Sequence, residues 1–261
     1  MKVQILSDLH VDFKENYKYF SDRCIKRADT LIVAGDIHPH KRMDEHGAYV
    51  WSDKRETFIN EELLPRWKNV IVIPGNHEFY GSTVDDEWFG KQLKVYENDK
   101  GNKVHYCNNH VLQIDGVYFV CSTLWSHIGH SNSYAVKQGL NDYRMISGLT
   151  IDRMNEIHQA NKDFLVEALT EIPDGKRCVF ITHHVPSFHL IHPRWRGNSL
   201  NEAFSADMDT FIMMNSSKIS YWVHGHSHDY LNEYIDRTKF IRNPMGYPAE
   251  RHGDMDMVID I

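Results

Sequence analysis

Short apolar runs recur along this chain and set its predicted framework. Five of them stand out: Val3–Leu6, Leu31–Ala34, Val70–Ile73, Cys178–Thr182 and Tyr221–Val223. Continuous apolar runs of this length are typical of strands buried on both faces. Residues 15–28 and 48–64, which separate the first three runs, have helical patterns, and the second of these ends before Pro65. This strand–helix–strand rhythm predicts parallel βαβ units.

The pattern changes after a third predicted helix at residues 84–97. Short strands are predicted at 104–106, 111–114 and 117–122, with a hairpin signal at Asp115-Gly116. A long helix is predicted at 151–169, followed late in the chain by strands at 231–235, 239–242 and 255–261. The glycine-containing stretch 126–150 is predicted to be a lid inserted over a site. Periodicity alone therefore indicates an α/β fold with a mixed sheet, and we expect a single domain over residues 1–261.

Each of the five buried runs is followed by a cluster of Asp, His and Asn. The clusters are Asp8-Leu9-His10, Gly35-Asp36, Gly75-Asn76-His77-Glu78, His183-His184 and His224-Gly225-His226-Ser227-His228. In α/β folds, ligands bind outside the carboxyl ends of the strands. The economical interpretation is one site, assembled from five loops, that holds metal ions. Its oxygen and imidazole donors, with no thiolate, favour Mn, Fe, Zn or Ni over a structural cysteine–zinc site.

Charge and cysteine usage narrow the classes of partner. The net charge of −7 argues against a protein whose main task is to grip a nucleic-acid backbone. Bound metal ions would supply positive charge locally. The four cysteines form no CxxC pair, and no apolar run approaches the ~20 residues needed to span a bilayer. We therefore expect a soluble, cytoplasmic protein without a membrane partner.

The polar clusters resemble the motifs of the calcineurin-like metallophosphoesterase family. That family reads D-x-H, G-D, G-N-H-D/E, H and G-H-x-H in this order, as does this chain from Asp8 to His228. The resemblance implies a two-sheet β-sandwich of mixed strands flanked by helices. It also implies a phosphoesterase that hydrolyses small phosphomono- or phosphodiesters with a metal-activated water. Two divalent ions would form the dinuclear centre, and Mn is the favoured metal for activity.

The same resemblance assigns a role to each motif residue. The first ion would be held by Asp8, His10 and His228, and the second by Asn76, His183 and His226, while Asp36 would bridge both ions. His77 would be the general acid, because an imidazole has a pKa near working pH. A further ligand or a helix cap remains the alternative for His77. Glu78 would orient His77 from behind.

Candidate substrate contacts have weaker support. Arg144 in the predicted lid could reach a phosphate, although a solvated arginine is the commoner case. His184 could contact substrate or pack, since neighbours on a strand point to opposite faces. Tyr247 lies in a compact turn that resembles turns near the substrate in some relatives. Two other classes stay open: a nuclease of the same superfamily, against which the acidic balance counts, and a non-catalytic scaffold, against which the intact set of ligands counts.

Overall fold

β-Strands form the framework of the molecule. The computed structural model describes residues 1–43, 46, 49–250 and 253–261. Within these ranges the strands are β1 (Lys2–Leu6), β2 (Thr30–Ala34), β3 (Lys41–Met43), β4 (Tyr49–Trp51), β5 (Asn69–Ile73), β6 (Gln92–Glu97), β7 (Lys103–Asn108), β8 (His110–Ile114), β9 (Val117–Ser122), β10 (Cys178–Thr182), β11 (Ile219–Val223), β12 (Leu231–Ile235), β13 (Thr238–Arg242) and β14 (Val258–Asp260).

The helices are mostly short. They are α1 (Lys14–Arg23), α2 (Asp53–Phe58), α3 (Ser133–Gly139), α4 (Asp142–Met145), α5 (Ile151–Glu171), α6 (Asn201–Phe204) and α7 (Asp209–Asn215). A π-helical turn, Ile59–Leu63, continues α2, and 3-10 turns cover His77–Phe79, Glu87–Phe89, Phe188–Leu190 and Pro193–Trp195. No helix in the described ranges has both the length and the apolar character required to cross a membrane.

Two six-stranded mixed sheets pack together. The first has the order β14-β1-β2-β5-β7-β6 and the second β12-β13-β11-β10-β9-β8, while β3 and β4 pair separately. In each sheet four central strands run parallel, and an antiparallel strand lies at either edge. The expectation of a two-sheet sandwich of mixed strands is confirmed.

Side chains of the central strands point alternately to the two faces of each sheet. Apolar residues therefore form three layers, one between the sheets and one on the outer face of each sheet. In β2, Ile32 and Ala34 join the cluster between the sheets, together with Val179 and Ile181 of β10. The intervening residues face outward, because successive side chains of a strand point to opposite faces. They pack under α1 and α2 on the first sheet, and corresponding residues of the second sheet pack under α5 and α7. Helices therefore cover both outer faces, and the strand ends stay free for the site.

Three predicted helices differ from the observed elements. The helix expected at 15–28 ends at Arg23, and the one expected at 48–64 begins only at Asp53, after the strand β4; residue 48 lies outside the described residues. The helix expected at 84–97 is wrong, since β6 occupies Gln92–Glu97. This segment pairs antiparallel with β7 along its whole length. Tertiary pairing at the sheet edge therefore overrides local helix propensity.

The hairpins and the long helix follow the sequence. Asp115 and Gly116 both have positive φ, at 50° and 83°, as a two-residue hairpin turn between β8 and β9 requires. The long helix α5 matches the predicted span, with two extra residues at its end. The final strand, β14, is shorter than predicted and pairs with β1. Stretch 126–150 contains α3 and α4, so it is more ordered than a plain loop.

Candidate metal centre

The polar clusters meet at the carboxyl ends of five strands drawn from both sheets. β1, β2 and β5 of the first sheet lead into Asp8, Asp36 and Asn76. β10 and β11 of the second sheet lead into His183 and into the pair His226 and His228. The proposed ligands are buried or nearly so, which removes these charges from bulk water. Such burial needs compensating charge within the cluster.

Four of these residues hold unusual backbone conformations. Asp8, His10, Asp36 and His226 have φ values of 52°, 44°, 56° and 69°, in the left-handed region. Backbone strain of this kind costs on the order of 1–3 kcal/mol per residue and concentrates at functional sites. Neighbouring loops hold it in place, since the backbone N–H of Asp8 donates to the Gly35 carbonyl at 3.0 Å and that of His10 to the Asp36 carbonyl at 2.8 Å.

Ligand atoms form two main groups, and the Asp36 carboxylate lies beside both of them. Asp8, His10 and His228 form the first group, in which His10 Nε2 lies 3.2 Å from His228 Nε2. Asp36, His183 and His226 form the second. Asp36 Oδ1 lies 3.4 Å from His183 Nε2, and its Oδ2 lies 3.8 Å from His10 Nε2. The Asp36 carboxylate thus faces both groups at once.

Hydrogen bonds on the outer side fix which ring nitrogens face the cluster. His183 Nδ1 donates to the Ala34 carbonyl at 2.9 Å, so its Nε2 points inward. His228 Nδ1 lies 2.6 Å from Glu250 Oε2, which leaves Nε2 for the first group. His226 Nε2 donates to the Ala203 carbonyl at 3.3 Å, so its Nδ1 is the inward atom. Carboxylate and carbonyl partners of this kind set the orientation of metal-binding histidines.

Asn76 presents its oxygen to the second group because Asp142 binds its amide nitrogen. Asn76 Nδ2 donates to Asp142 Oδ1 at 2.8 Å, and the Tyr80 hydroxyl donates to the same oxygen at 2.9 Å. Asn76 Oδ1 then lies 3.1 Å from His183 Nε2. Asp142 begins α4 in the segment 126–150, so this segment contributes a buried carboxylate to the support of the site.

The buried carboxylates of the cluster require positive charge nearby. Burial opposes protonation of His183, but Asp36 and Asp8 outweigh it and raise the pKa of His183 to about 9. Burial also opposes protonation of His228, but Asp8 and Glu250 raise its pKa to about 10. Two imidazolium groups therefore balance the buried carboxylates. A divalent cation in each group could take the place of these protons and supply the positive charge that the buried carboxylates require, so the donor set fits two metal ions.

Glu78 supports the loop that carries Asp36. Its carboxylate accepts backbone N–H groups from Asp36 at 2.9 Å, Ile37 at 2.7 Å and Gly75 at 2.5 Å. Burial, with Asp36 nearby, raises the pKa of Glu78 to about 7. The expectation that Glu78 orients the His77 ring is therefore wrong, because the carboxylate is turned to the backbone instead.

His77 lies at the open side of the cluster. Its ring stacks on Tyr80 with 4.3 Å between centroids, and its Nε2 lies 3.2 Å from the Tyr247 hydroxyl. The same nitrogen is 4.0 Å from Asp36 Oδ2. His77 also belongs to a third possible ligand group with His10 and Asp36. Both readings of His77, acid and further ligand, are compatible with this position.

Close approach of the backbone explains a glycine in the third motif. A Cβ at Gly75 would lie 2.1 Å from Asp36 Oδ1 and 2.6 Å from His183 Cε1. No residue with a Cβ fits at this position without displacing the Asp36 carboxylate and the His183 ring.

A cavity of about 370 Å³ opens over the metal-type ligands. One wall comes from residues 139–142 and a second wall from residues between 191 and 204, with Leu200 lying against Gly139. Tyr247 lines this cavity, in keeping with a substrate contact, although that role stays a prediction. The second wall, with Arg194 and Trp195, was not anticipated, since no motif or strand end marks it in the sequence.

Two other predicted substrate residues lie elsewhere. Arg144 is exposed and donates to the Gln138 carbonyl at 2.6 Å and to Asn141 Oδ1 at 3.3 Å, within its own segment. His184 is fully buried beside His226, with 4.3 Å between ring centroids. Packing is therefore the better account of His184. A phosphate-binding role for Arg144 remains a prediction that would require it to leave these partners.

Comparison with known proteins identifies one protein family. The profile described as calcineurin-like phosphoesterase matches residues 1–230. An uncharacterized protein of Acanthamoeba polyphaga mimivirus is 29% identical over 221 residues, covering 77% of this chain and 76% of that protein.

Solved structures are similar to this chain at low sequence identity. The crystal structure of phosphopantetheinyl hydrolase from Mycobacterium tuberculosis superposes with a TM-score of 0.66 at 17% identity, covering 95% of this chain and 90% of that one. A dimetal phosphatase from Danio rerio gives a TM-score of 0.45 at 13% identity, covering 96% and 88%. At such identity the first of these similarities shows the fold alone.

Proposed function

Because this chain belongs to the calcineurin-like phosphoesterase family, we propose that it is a dinuclear metal-dependent phosphoesterase. It hydrolyses small phosphomono- or phosphodiesters with water at the centre described above. One observation carries the proposal: a single carboxylate, Asp36, faces two separate groups of imidazole and carboxylate ligands. A bridging carboxylate between two ligand groups is what a pair of metal ions requires.

The proposed ligand sets follow from the two groups. Asp8, His10, Asp36 and His228 would hold one ion. Asp36, Asn76, His183 and His226 would hold the other. When bound, such ions lower the pKa of a water molecule and neutralise charge on the phosphoryl oxygens, and Mn is the metal that we expect to support activity. The protein holds these ligands in place through Ala34, Ala203, Glu250 and Asp142.

His77 would act on the leaving group. Its side chain is partly exposed, at 16%, at the edge of the cavity, whereas His10, Asp36 and His183 are almost fully buried. An imidazole here can give a proton to the departing ester oxygen. The Tyr247 hydroxyl and the Tyr80 ring hold His77 in place for this transfer.

The shape of the cavity favours a small ester over a polymer. Residues 139–142 and the segment around Trp195 line the space beside the ligands, and its volume of about 370 Å³ suits a small molecule. A nuclease needs an open groove lined by cations, and the net charge of −7 does not favour one. We further propose that the chain is a single domain in which segment 126–150 forms a wall of the site.

Metal content and turnover measured together test the proposal. After loading with Mn²⁺, we expect two ions per chain by elemental analysis and hydrolysis of p-nitrophenyl phosphate or bis(p-nitrophenyl) phosphate. Asp152→Asn, on the exposed start of α5, is the matched control for Asp36→Asn. A protein that binds no Mn²⁺ at saturation, or an Asp36→Asn variant with the activity of the control, would refute the dinuclear mechanism.

A further inference from the structure

The second wall of the cavity carries a tryptophan that the proposed chemistry does not use. Trp195 lines the same cavity as Asp36 and His228, yet 44% of its surface remains exposed. Tryptophan is costly to leave exposed on a folded protein, because its large apolar ring gains by burial. A half-exposed ring that lines the cavity beside the proposed ligands is available to a molecule bound there.

Trp195 is held in a fixed position. Its Nε1 donates to Asp229 Oδ2 at 3.2 Å, and Asp229 Oδ1 accepts Arg194 Nη2 at 2.5 Å. The Arg194 guanidinium also lies 4.8 Å from the centroid of the Trp195 ring. One nearly buried carboxylate, which follows His228 directly in the chain, thus anchors both side chains to the loop of a proposed ligand. A ring positioned in this way has already lost its rotamer freedom before a ligand arrives.

Apolar surface continues from the ring toward the cluster. Phe204 stacks on His226 with 4.7 Å between centroids and an angle of 29°, and it lines the same cavity. Leu140 and Leu200 line it as well. The cavity therefore offers apolar surface to the organic group of an ester, and Arg194 lies over one face of the indole, so the other face is the one left for stacking.

We propose that Trp195 determines the specificity of the site, and that it selects phosphate esters whose organic group carries a planar aromatic ring. The inference rests on the proposed phosphoesterase activity and adds the class of ester. The ring of an aryl group or of a nucleobase supplies the same stacking surface, because each has a flat π-face. Asp229 is a positioning residue for this contact.

A matched pair of esters tests the effect of a planar ring while the size of the organic group and the type of leaving group stay the same. Benzyl phosphate and cyclohexylmethyl phosphate release primary alcohols of similar size, and benzyl methyl phosphate with cyclohexylmethyl methyl phosphate forms the corresponding diester pair. With Mn²⁺, we expect the wild-type enzyme to favour the benzyl member by roughly 10-fold in kcat/KM, within the range that stacking on an aromatic side chain gives. Thymidine 5′-monophosphate against ribose 5-phosphate then distinguishes a nucleobase from a simple aryl group.

Substitution of the tryptophan completes the test. Trp195→Leu should abolish the preference for the benzyl ester, and Trp195→Phe should restore most of it. Tyr234→Leu is the control, since Tyr234 is an exposed aromatic residue on β12, away from the cavity lining, and its loss should leave the preference unchanged. A wild-type enzyme with equal kcat/KM for the two members, or a Trp195→Leu enzyme that keeps the preference, overturns the inference.

The experiments distinguish failure of the proposed phosphoesterase activity from failure of the inference about Trp195. Cyclohexylmethyl phosphate turnover that disappears in Asp36→Asn supports the esterase chemistry whatever Trp195 does. If no ester is hydrolysed, calorimetric binding of benzylphosphonate against cyclohexylmethylphosphonate to the Mn²⁺-loaded protein still tests the ring. Tighter binding of the benzyl compound, lost in Trp195→Leu, supports the inference, and equal affinities refute it.

Discussion

Gly75→Ala tests the geometry of the proposed bridging carboxylate, Asp36, with a single methyl group. The new Cβ would lie 2.1 Å from Asp36 Oδ1, whereas real Cβ contacts are essentially never below 3.0 Å, so the oxygen must retreat by about 0.9 Å (3.0 − 2.1). That oxygen also accepts the His77 backbone N–H at 3.0 Å, so the displacement disturbs His77 as well. A misplacement of about 1 Å costs on the order of 10²-fold in rate.

We therefore expect kcat/KM to fall about 100-fold in Gly75→Ala, with loss of one of the two Mn²⁺ ions. Gly75 is not among the glycines with positive φ, so the effect is steric and not a backbone strain. Overpacking of this kind costs roughly 1–3 kcal/mol of stability, which a domain with about 5–15 kcal/mol tolerates. The assay is hydrolysis of p-nitrophenyl esters with metal content measured in the same sample.

Gly90→Ala is the matched control. Its added Cβ lies 3.5 Å from the Glu87 carbonyl oxygen, an ordinary contact. Far-UV circular dichroism and thermal unfolding show that both variants are folded. If folded Gly75→Ala enzyme works within threefold of the parent, with two ions bound, then Asp36 does not bridge in the geometry described here.

The remaining predictions concern the ligands and their supports. Asp36→Asn should reduce turnover more than any substitution in segment 126–150, because two cations would then face each other without the bridging charge; near-normal kinetics and metal content would contradict this. His77→Ala should cost roughly 10²–10⁴-fold for an ester with a poor leaving group and less for a nitrophenyl ester; loss of a metal ion would instead make His77 a ligand. Asp142→Ala should weaken binding of one Mn²⁺ by about 10–100-fold in a calorimetric titration, since Asn76 loses its orienting partner; unchanged affinity would exclude that role. Because the pKa values of His183 and His228 are raised to about 9 and about 10, both are protonated at pH 7 and metal loading should release protons; titration heats that do not depend on the buffer's ionisation enthalpy would contradict it.

Sequence patterns predicted the strands and the motif residues because both depend on local features. A strand buried on both faces is a continuous apolar run, as in β2 and β10, and its carboxyl end is marked by the first polar residue. Asp36 and His183 are found in this way. The two-sheet arrangement required the family resemblance, since nothing in periodicity decides whether eight parallel strands form one sheet or two.

Local sequence patterns could not predict contacts between residues that are far apart in the chain. Asp142 binds Asn76 across 66 positions, and no local pattern connects them. Glu78 was expected to serve its neighbour, but its carboxylate satisfies backbone donors on the loop after β2. Strand β6 forms because β7 offers an edge, which the local sequence of residues 92–97 does not show. In each case the tertiary arrangement decides which partner or element the residues adopt.

The left-handed backbone at Asp8, His10, Asp36 and His226 has a consequence for the evolution of the chain. Glycine adopts this conformation without steric cost, so replacement at any of these positions relieves strain and can make the apoprotein more stable. The same replacement removes a proposed metal-ligand side chain. Selection for thermostability alone would therefore erode the site first, and retention of Asp and His at these four positions requires continued selection for what the side chains do.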